Sequence, residues 1–354
     1  MITSGTHILS SRQFDVPSLE RIFALADFLQ PVARGEMVTR VLEGAVLGSL
    51  FFEASTRTRL SFDSAFMRLG GSVSHTTGVT FSSIIKGESL EDTSRVISGY
   101  VDAFVIRHPE VEAIHQFASA THVPVINGGN GEGEHPTQAL LDIYTMRNEL
   151  QRLGKKLENA TIAMVGDLRF GRTIHSLIQL LLLFPDTCFL FVAPKGLELP
   201  DHYREMVEAA GHRFTEKSRL DKSLAGADVV YVTRVQKERI PVTERFDDTN
   251  LKFRIDKSSV QRFLSPTAVI MHPLPRDSTA QSNDLSADID GDPRLAIFRQ
   301  SDAGVPVRMA LFGIVLGVED QVRRSLRPAT WWRPQKIGPL DLEEQTSERA
   351  SRSA

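Results

Sequence analysis

The sequence predicts an α/β protein built from parallel-sheet domains. Three observations lead there. Apolar strand-like runs alternate with amphipathic helical stretches, the pattern pauses at Gly154-Lys155-Lys156 and starts again, and 354 residues suffice for about two domains. Residues 17–30 read as a helix with Leu19, Ile22, Phe23, Ala26 and Leu29 on one face. The apolar run 46–52, bounded by Gly44 and followed by Ser55, reads as a strand feeding a helix over 56–69 that Gly70-Gly71 stops. Short strands follow at 103–106 and 123–127. The second of these leads through the glycine-rich run 128–133 into a long helix over 137–153. After the pause, strands are expected at 161–165, 188–192, 228–232 and 268–271, with helices at 172–183, 201–210 and 307–324. Residues 328–354 carry little apolar content beyond Trp331-Trp332 and read as a disordered tail. Those two tryptophans either anchor on a partner surface or fold back on their own domain.

Composition narrows the function classes. Charged residues make up 24% and hydrophobic ones 41%, an ordinary globular mix, and the net charge of −3 gives no global basic field for nucleic acid. No apolar run reaches the length of a membrane span; residues 174–193, the longest candidate, are broken by His175, Gln179, Pro185 and Asp186. The single cysteine, Cys188, excludes an internal disulfide and a Cys-rich zinc site. The first twenty residues include Asp15 and Glu20 and lack an apolar signal core, so a cytoplasmic protein is expected.

Ser55-Thr56-Arg57-Thr58-Arg59 opens a helix directly after a strand. A helix start offers free N–H groups and the positive end of its dipole, and hydroxyls interleaved with guanidinium groups suit a phosphate. The plainer alternative is a hydroxyl N-cap with surface arginines. Arg107-His108-Pro109 ends a strand, where an arginine either points into the ligand crevice or is merely solvated. His135-Pro136-Thr137-Gln138 sits where the glycine-rich loop meets a helix. Such a histidine either donates to a carbonyl that gains charge or caps the loop.

The second half carries its own cluster. Gly166 to Thr173 has the outline of a nucleotide-binding loop, but Arg172 stands where lysine belongs and no strand nearby ends in an obvious Mg²⁺-binding aspartate. A loop that carries Arg172 toward an anion fits better. Arg234-Val235-Gln236-Lys237-Glu238-Arg239 suits a carboxylate-rich ligand or forms a charged loop. In His272-Pro273-Leu274-Pro275-Arg276 the prolines fix a rigid bend, which holds a carbonyl as an acceptor or simply turns the chain. Nearly all these motifs lie just after predicted strands, the carboxyl edge where open α/β sheets bind ligands. Basic clusters in both halves predict a cleft for two anionic ligands.

Together these motifs resemble the aspartate carbamoyltransferase family over roughly residues 7–320. The specific pieces are Phe52-Glu53-Ala54-Ser55-Thr56-Arg57-Thr58-Arg59, Lys86-Gly87-Glu88, Arg107-His108-Pro109, His135-Pro136-Thr137-Gln138, the loop 166–173, the run 234–239 and the run 272–276. The resemblance implies two doubly wound parallel-sheet domains joined by helices, with a C-terminal helix returning to the first. The expected boundaries are 1–149 plus 303–326 for carbamoyl phosphate, 150–302 for aspartate, and 327–354 for the tail. It implies carbamoyl transfer from carbamoyl phosphate to L-aspartate in pyrimidine synthesis, without cofactor or metal. Ser55, Thr56, Arg57 and Thr58 would hold the phosphate, and Arg107 would bridge phosphate and carbonyl. His135 would bond the carbonyl oxygen. Gln138 would bond the carbamoyl amide, helped by the backbone carbonyl of Leu274 in a cis Leu274-Pro275 pair. Arg172, Arg234 and Gln236 would grip the aspartate carboxylates. Ser82 and Lys86 would enter from a neighbouring subunit, making a homotrimer with shared sites. Lys86 would then serve catalysis, phosphate and aspartate alike. Regulatory or dihydroorotase-type chains are conceivable partners.

The rival readings are a transcarbamoylase for another amine, such as ornithine, and a non-catalytic scaffold. Ornithine enzymes usually carry His-Cys-Leu-Pro where this chain has His272-Pro273-Leu274-Pro275, and Arg234 and Arg239 would repel a cationic side chain. A scaffold should have lost residues of the site, which are all present.

Overall fold

The alternation of apolar strands and helices produces two parallel sheets, each in its own unit. In a computed structural model the described residues are 2–77, 87–236, 253–277 and 284–332. The first unit comprises Met1–Tyr144, Arg172–Leu183 and Asp302–Trp331; the second comprises Thr145–Gly171, Phe184–Ser301 and Trp332–Ala354.

The first unit opens with α1 (Val16–Ala33), capped by Asp15, whose side chain accepts the Ser18 N–H. In chain order follow β1 (Met37–Val38), β2 (Val46–Phe51), α2 (Thr56–Arg68), β3 (Ser72–Thr77), α3 (Leu90–Ser98), β4 (Ala103–His108), α4 (Ala113–Ser119), β5 (Val125–Asn130) and α5 (Pro136–Arg152). The parallel sheet has the order β3-β2-β4-β5. The chain leaves β2 for one side and returns to β4 on the other. The direction of winding therefore switches between β2 and β4, which opens a crevice at their carboxyl ends. In the same unit Leu50, Phe104, Ile106, Phe117 and Val125 belong to a buried cluster, with Phe104 and Phe117 packed edge to face at 5.0 Å. Burying each such ring contributes about 1.5–3 kcal/mol.

The second unit repeats the plan. It holds β6 (Thr161–Val165), then, after α6 (Arg172–Leu181), β7 (Cys188–Val192), α7 (Asp201–Ala209), β8 (Arg213–Lys217), β9 (Val229–Val232), α8 (Lys257–Phe263) and β10 (Val269–Met271). The parallel order β10-β9-β6-β7-β8 places the switch between β6 and β9. Val165, Val230, Val232, Ile270, Leu285 and Ile297 belong to its core. The chain ends its described part with α9 (Ile297–Val315), α10 (Glu319–Ser325) and β11 (Arg327–Pro328). It passes from one unit to the other within α5 and within α9.

Several expectations need correction. The segment Arg172–Leu183, read as part of a continuous second domain, groups with the first unit, where Ser176 Oγ accepts the His135 N–H at 3.0 Å. The closing helix starts at Ile297, with Pro306 inside it, rather than at 307. Burial of Val307, Leu311 and Phe312 outweighs the hydrogen bond that a proline removes. That helix does not run on to 324 but breaks into α9 and α10, bent by 120°. β5 extends to Asn130, taking in glycines expected as loop. At the start of the expected tail, Arg327 and Pro328 pair antiparallel with Val38 and Met37. Trp331 and Trp332 are exposed, and residues beyond 332 lie outside the described ones.

Candidate active site

The anion motif lies at the switch point of the first sheet. β2 ends at Phe51, level with Arg107 on β4, and α2 begins at Thr56. Ser55 is the N-cap residue in an extended conformation, its side chain makes no cap hydrogen bond, and the first turn has no acidic residue. The N–H groups of that turn are therefore available to an external acceptor. Ser55 and Thr58 are half-buried, while Thr56 and Arg57 are exposed.

Arg107 and Arg172 converge on one carboxylate. Glu53 Oε2 lies 3.0 Å from Arg107 Nη2 and 3.6 Å from Arg172 Nη1, and both arginine side chains are about nine-tenths buried. Arg107 also donates to the Gly128 carbonyl at 3.3 Å, and Arg172 to the Gly131 carbonyl. Gly129 makes this approach possible: a Cβ there would stand 2.9 Å from Arg107 Nη1 and 3.4 Å from the Arg172 guanidinium carbon. Its φ of 116° is also one that side-chain-bearing residues rarely adopt.

His135 completes the cluster. It precedes Pro136, the first residue of α5, and is 4% exposed. Burial, then the charges of Arg172, Arg107 and Arg308, hold its imidazole well below the ordinary histidine range. The ring is therefore neutral near pH 7 and offers one N–H donor. Its Nδ1 has no hydrogen-bond partner among the described residues. One turn along α5, Gln138 Nε2 donates to Asp142 Oδ1 at 2.9 Å.

In the second unit the carboxyl ends of β6 and β9 meet. A Cβ on Gly166 would fall 2.2 Å from the Thr233 carbonyl oxygen, so only glycine allows the strand ends this close. The fully buried Asp167 ties the two segments together. Its carboxylate accepts the N–H groups of Arg169, Phe170 and Gln236 at 3.1, 2.9 and 2.9 Å. Its carbonyl accepts the Thr233 hydroxyl at 3.2 Å. Arg234 and Gln236 are half-buried, and Arg234 Nη2 lies 3.4 Å from Gln236 Oε1.

The bend after β10 is also held from within. The Leu274–Pro275 bond is cis, as the resemblance implies. The Leu274 N–H donates to His272 Nδ1 at 2.9 Å, and His272 Nε2 faces Asp284 Oδ2 at 3.4 Å. Burial pushes the His272 ring below its usual range, with Asp284 opposing. Arg276 binds Asp290 through both nitrogens, at 2.7 Å for Nη2, so this arginine serves the fold.

The first unit thus gathers Ser55, Thr56, Arg57, Thr58, Arg107, His135, Gln138 and, unlike the expectation from chain order, Arg172. The second holds Arg234, Gln236, Leu274 and Pro275. Ser82, Lys86, Lys237 and Arg239 lie outside the described residues. Roles for Glu53, Asp142, Asp167 and Arg308 escaped the sequence reading. Glu53 stood inside a motif, but its partners are far away in the chain.

Comparison with known proteins bears on this geometry. Residues 6–148 match the family described as aspartate/ornithine carbamoyltransferase, carbamoyl-P binding domain, and residues 158–315 match its Asp/Orn binding domain. The chain is 51% identical over 339 residues to the aspartate carbamoyltransferase catalytic subunit of Dichelobacter nodosus, covering 96% of this chain and 97% of the relative. The crystal structure of aspartate transcarbamoylase from Trypanosoma cruzi with carbamoyl aspartate and phosphate superposes with a TM-score of 0.77 at 37% identity, over 89% of this chain and 97% of that one. The catalytic subunit of M. jannaschii aspartate transcarbamoylase gives 0.79 at 39% identity, over 88% and 98%.

Proposed function

Because the chain belongs to the aspartate and ornithine carbamoyltransferase family, we infer that its first unit takes carbamoyl phosphate and its second recognises L-aspartate. The enzyme transfers the carbamoyl group of carbamoyl phosphate to the amine of L-aspartate, giving N-carbamoyl-L-aspartate and phosphate. This is an early step of de novo pyrimidine biosynthesis, and the reading carries a cytoplasmic location.

In the first unit, Ser55, Thr56, Arg57 and Thr58 hold the phosphate at the start of α2. Arg107 bridges phosphate and carbonyl, His135 donates to the carbonyl oxygen, and Gln138 accepts from the carbamoyl NH₂. Arg172 takes a carboxylate of aspartate. In the second unit, Arg234 and Gln236 bind aspartate, and the Leu274 carbonyl is an acceptor for an amide. The neutral amine attacks the carbonyl carbon, and charge builds on the oxygen faced by neutral His135, Thr58 and Arg107. The carbon–oxygen bond to phosphate then breaks, and the departing phosphate accepts the amine proton.

The observation that carries this reading is the convergence of Arg107, Arg172 and a neutral His135 beside an uncapped helix start. Equilibrium titration with carbamoyl phosphate tests it. Arg57→Ala and Arg107→Ala should each lose on the order of tenfold in affinity, as expected for a hydrogen bond to a charged group. Unchanged affinity in both would overturn it. Ser82 and Lys86 come from a neighbouring subunit of a homotrimer. Mixing inactive Lys86→Ala and His135→Ala subunits should then restore activity, and no recovery would remove the shared site.

A further inference from the structure

We propose that Asp142 is a positioning residue that turns the oxygen of the Gln138 amide, not its nitrogen, toward the substrate, and so selects an acyl phosphate bearing NH₂ over one bearing a methyl group. This rests on the assignment of Gln138 to the carbamoyl amide. Gln138 and Asp142 stand four residues apart on α5, the spacing that brings side chains together on one helix face. Gln138 Nε2 lies 2.9 Å from Asp142 Oδ1, and Asp142 is fully buried. A glutamine amide left alone presents either end after a half-turn of its last torsion. An ionised carboxylate accepts hydrogen bonds and donates none. It therefore holds the amide nitrogen and directs the oxygen the other way.

A buried carboxylate keeps its charge only with a counter-charge. Arg308 of α9 supplies it. Its side chain is 3% exposed, donates to Ser61 Oγ at 2.5 Å and lies 4.5 Å from the centre of the Phe62 ring. Burial lowers the Arg308 guanidinium to about 9, and the charge of Asp142 works against that fall. Arg308 thus brings a positive charge to bear on the carboxylate that holds the Gln138 amide nitrogen.

The oxygen so directed rewards a ligand that donates. Carbamoyl phosphate donates through its NH₂. Acetyl phosphate presents a methyl group and leaves that oxygen unpaired, a mismatch that polar sites reject strongly. Equilibrium titrations with carbamoyl phosphate and with acetyl phosphate, on wild type, Gln138→Ala and Asp142→Asn, test this. In both variants the Kd for carbamoyl phosphate should rise about tenfold while that for acetyl phosphate stays constant. A merely structural role would weaken both ligands together. Should Asp142→Asn fail to fold with Arg308 left charged, the pair Asp142→Asn with Arg308→Met removes both charges, and the same split is expected. A split in Gln138→Ala without one in the Asp142 variants overturns the positioning role alone. No split in Gln138→Ala overturns the assignment of Gln138 itself.

Discussion

Glu53 and Arg107 form an ion pair of 3.0 Å at the switch point of the first sheet. The same carboxylate oxygen lies 3.6 Å from Arg172. Both guanidinium groups are nearly buried, and two such charges this close require a counter-charge. Glu53 supplies it with the arginines that the proposed function assigns to anionic substrates. On the proposed function, substrate binding would be a competition between Glu53 and the incoming phosphate or carboxylate.

Replacing Glu53 by glutamine removes that competitor and leaves the arginines uncompensated. In phosphate-free buffer the melting temperature should fall, since two nearly buried guanidinium groups lose a partly exposed counter-charge, a loss smaller than the about 3–5 kcal/mol of a fully buried pair. Inorganic phosphate should bind on the order of tenfold more tightly and restore the melting temperature. Thermal melts with and without phosphate measure both. A variant as stable as wild type, with unchanged phosphate affinity, would show that the pair is incidental.

Loss of His135 should strike the rate more than binding. In its proposed role His135 donates to the developing oxyanion, and loss of such a donor, as in His135→Ala, typically costs on the order of a hundredfold in kcat. The affinity for inorganic phosphate should change less than about tenfold, because the helix start and Arg57 remain. Steady-state kinetics together with phosphate titration separate the two. Equal losses in both would make His135 a binding residue only.

Two of the buried histidines, His135 and His272, contribute to the acid side of the stability profile. His135 and His272 both have folded pKa values below the ordinary 6.5. In acid the unfolded chain then binds more protons than the folded one. Stability is full above about pH 6.5 and falls as the pH drops from there toward the folded values. Urea unfolding at several pH values should show this slope, and it should be shallower in His135→Gln. An equal slope would mean that His135 ionises freely in the fold.

Asp167 should govern aspartate rather than phosphate. Its carboxylate holds the backbone of Gln236 and of the loop at 169–170, so Asp167→Asn loosens the segment carrying Arg234 and Gln236. Each charge-assisted bond contributes about 1.5–3 kcal/mol, so the KM for aspartate should rise at least about tenfold. Carbamoyl phosphate affinity should hold. Both constants shifting together would point to general unfolding of the enzyme.

Legibility of the fold followed burial. Strands such as Thr161–Val165 and Cys188–Val192 are apolar runs buried along most of their length and were readable to the residue. Ser72–Thr77 and Arg213–Lys217 were missed because they are polar strands at sheet edges, where alternation is weak. In the site, motifs located Ser55, Arg107 and His135, because helix starts and strand ends leave local signatures. Glu53 and Arg308 instead touch residues distant in the chain, Arg107 and Ser61. Arg308 and Ser61 lie 247 positions apart, and no local pattern announces that pair.

The central claim is carbamoyl transfer selective for aspartate, and product formation tests it most directly. Purified enzyme is given carbamoyl phosphate with L-aspartate, or with L-ornithine in parallel, and the carbamoylated amino acid is quantified. The account predicts N-carbamoyl-L-aspartate and equimolar phosphate with aspartate, and no product above background with ornithine. Carbamoylated ornithine, or no product with either amine from folded enzyme, would contradict it.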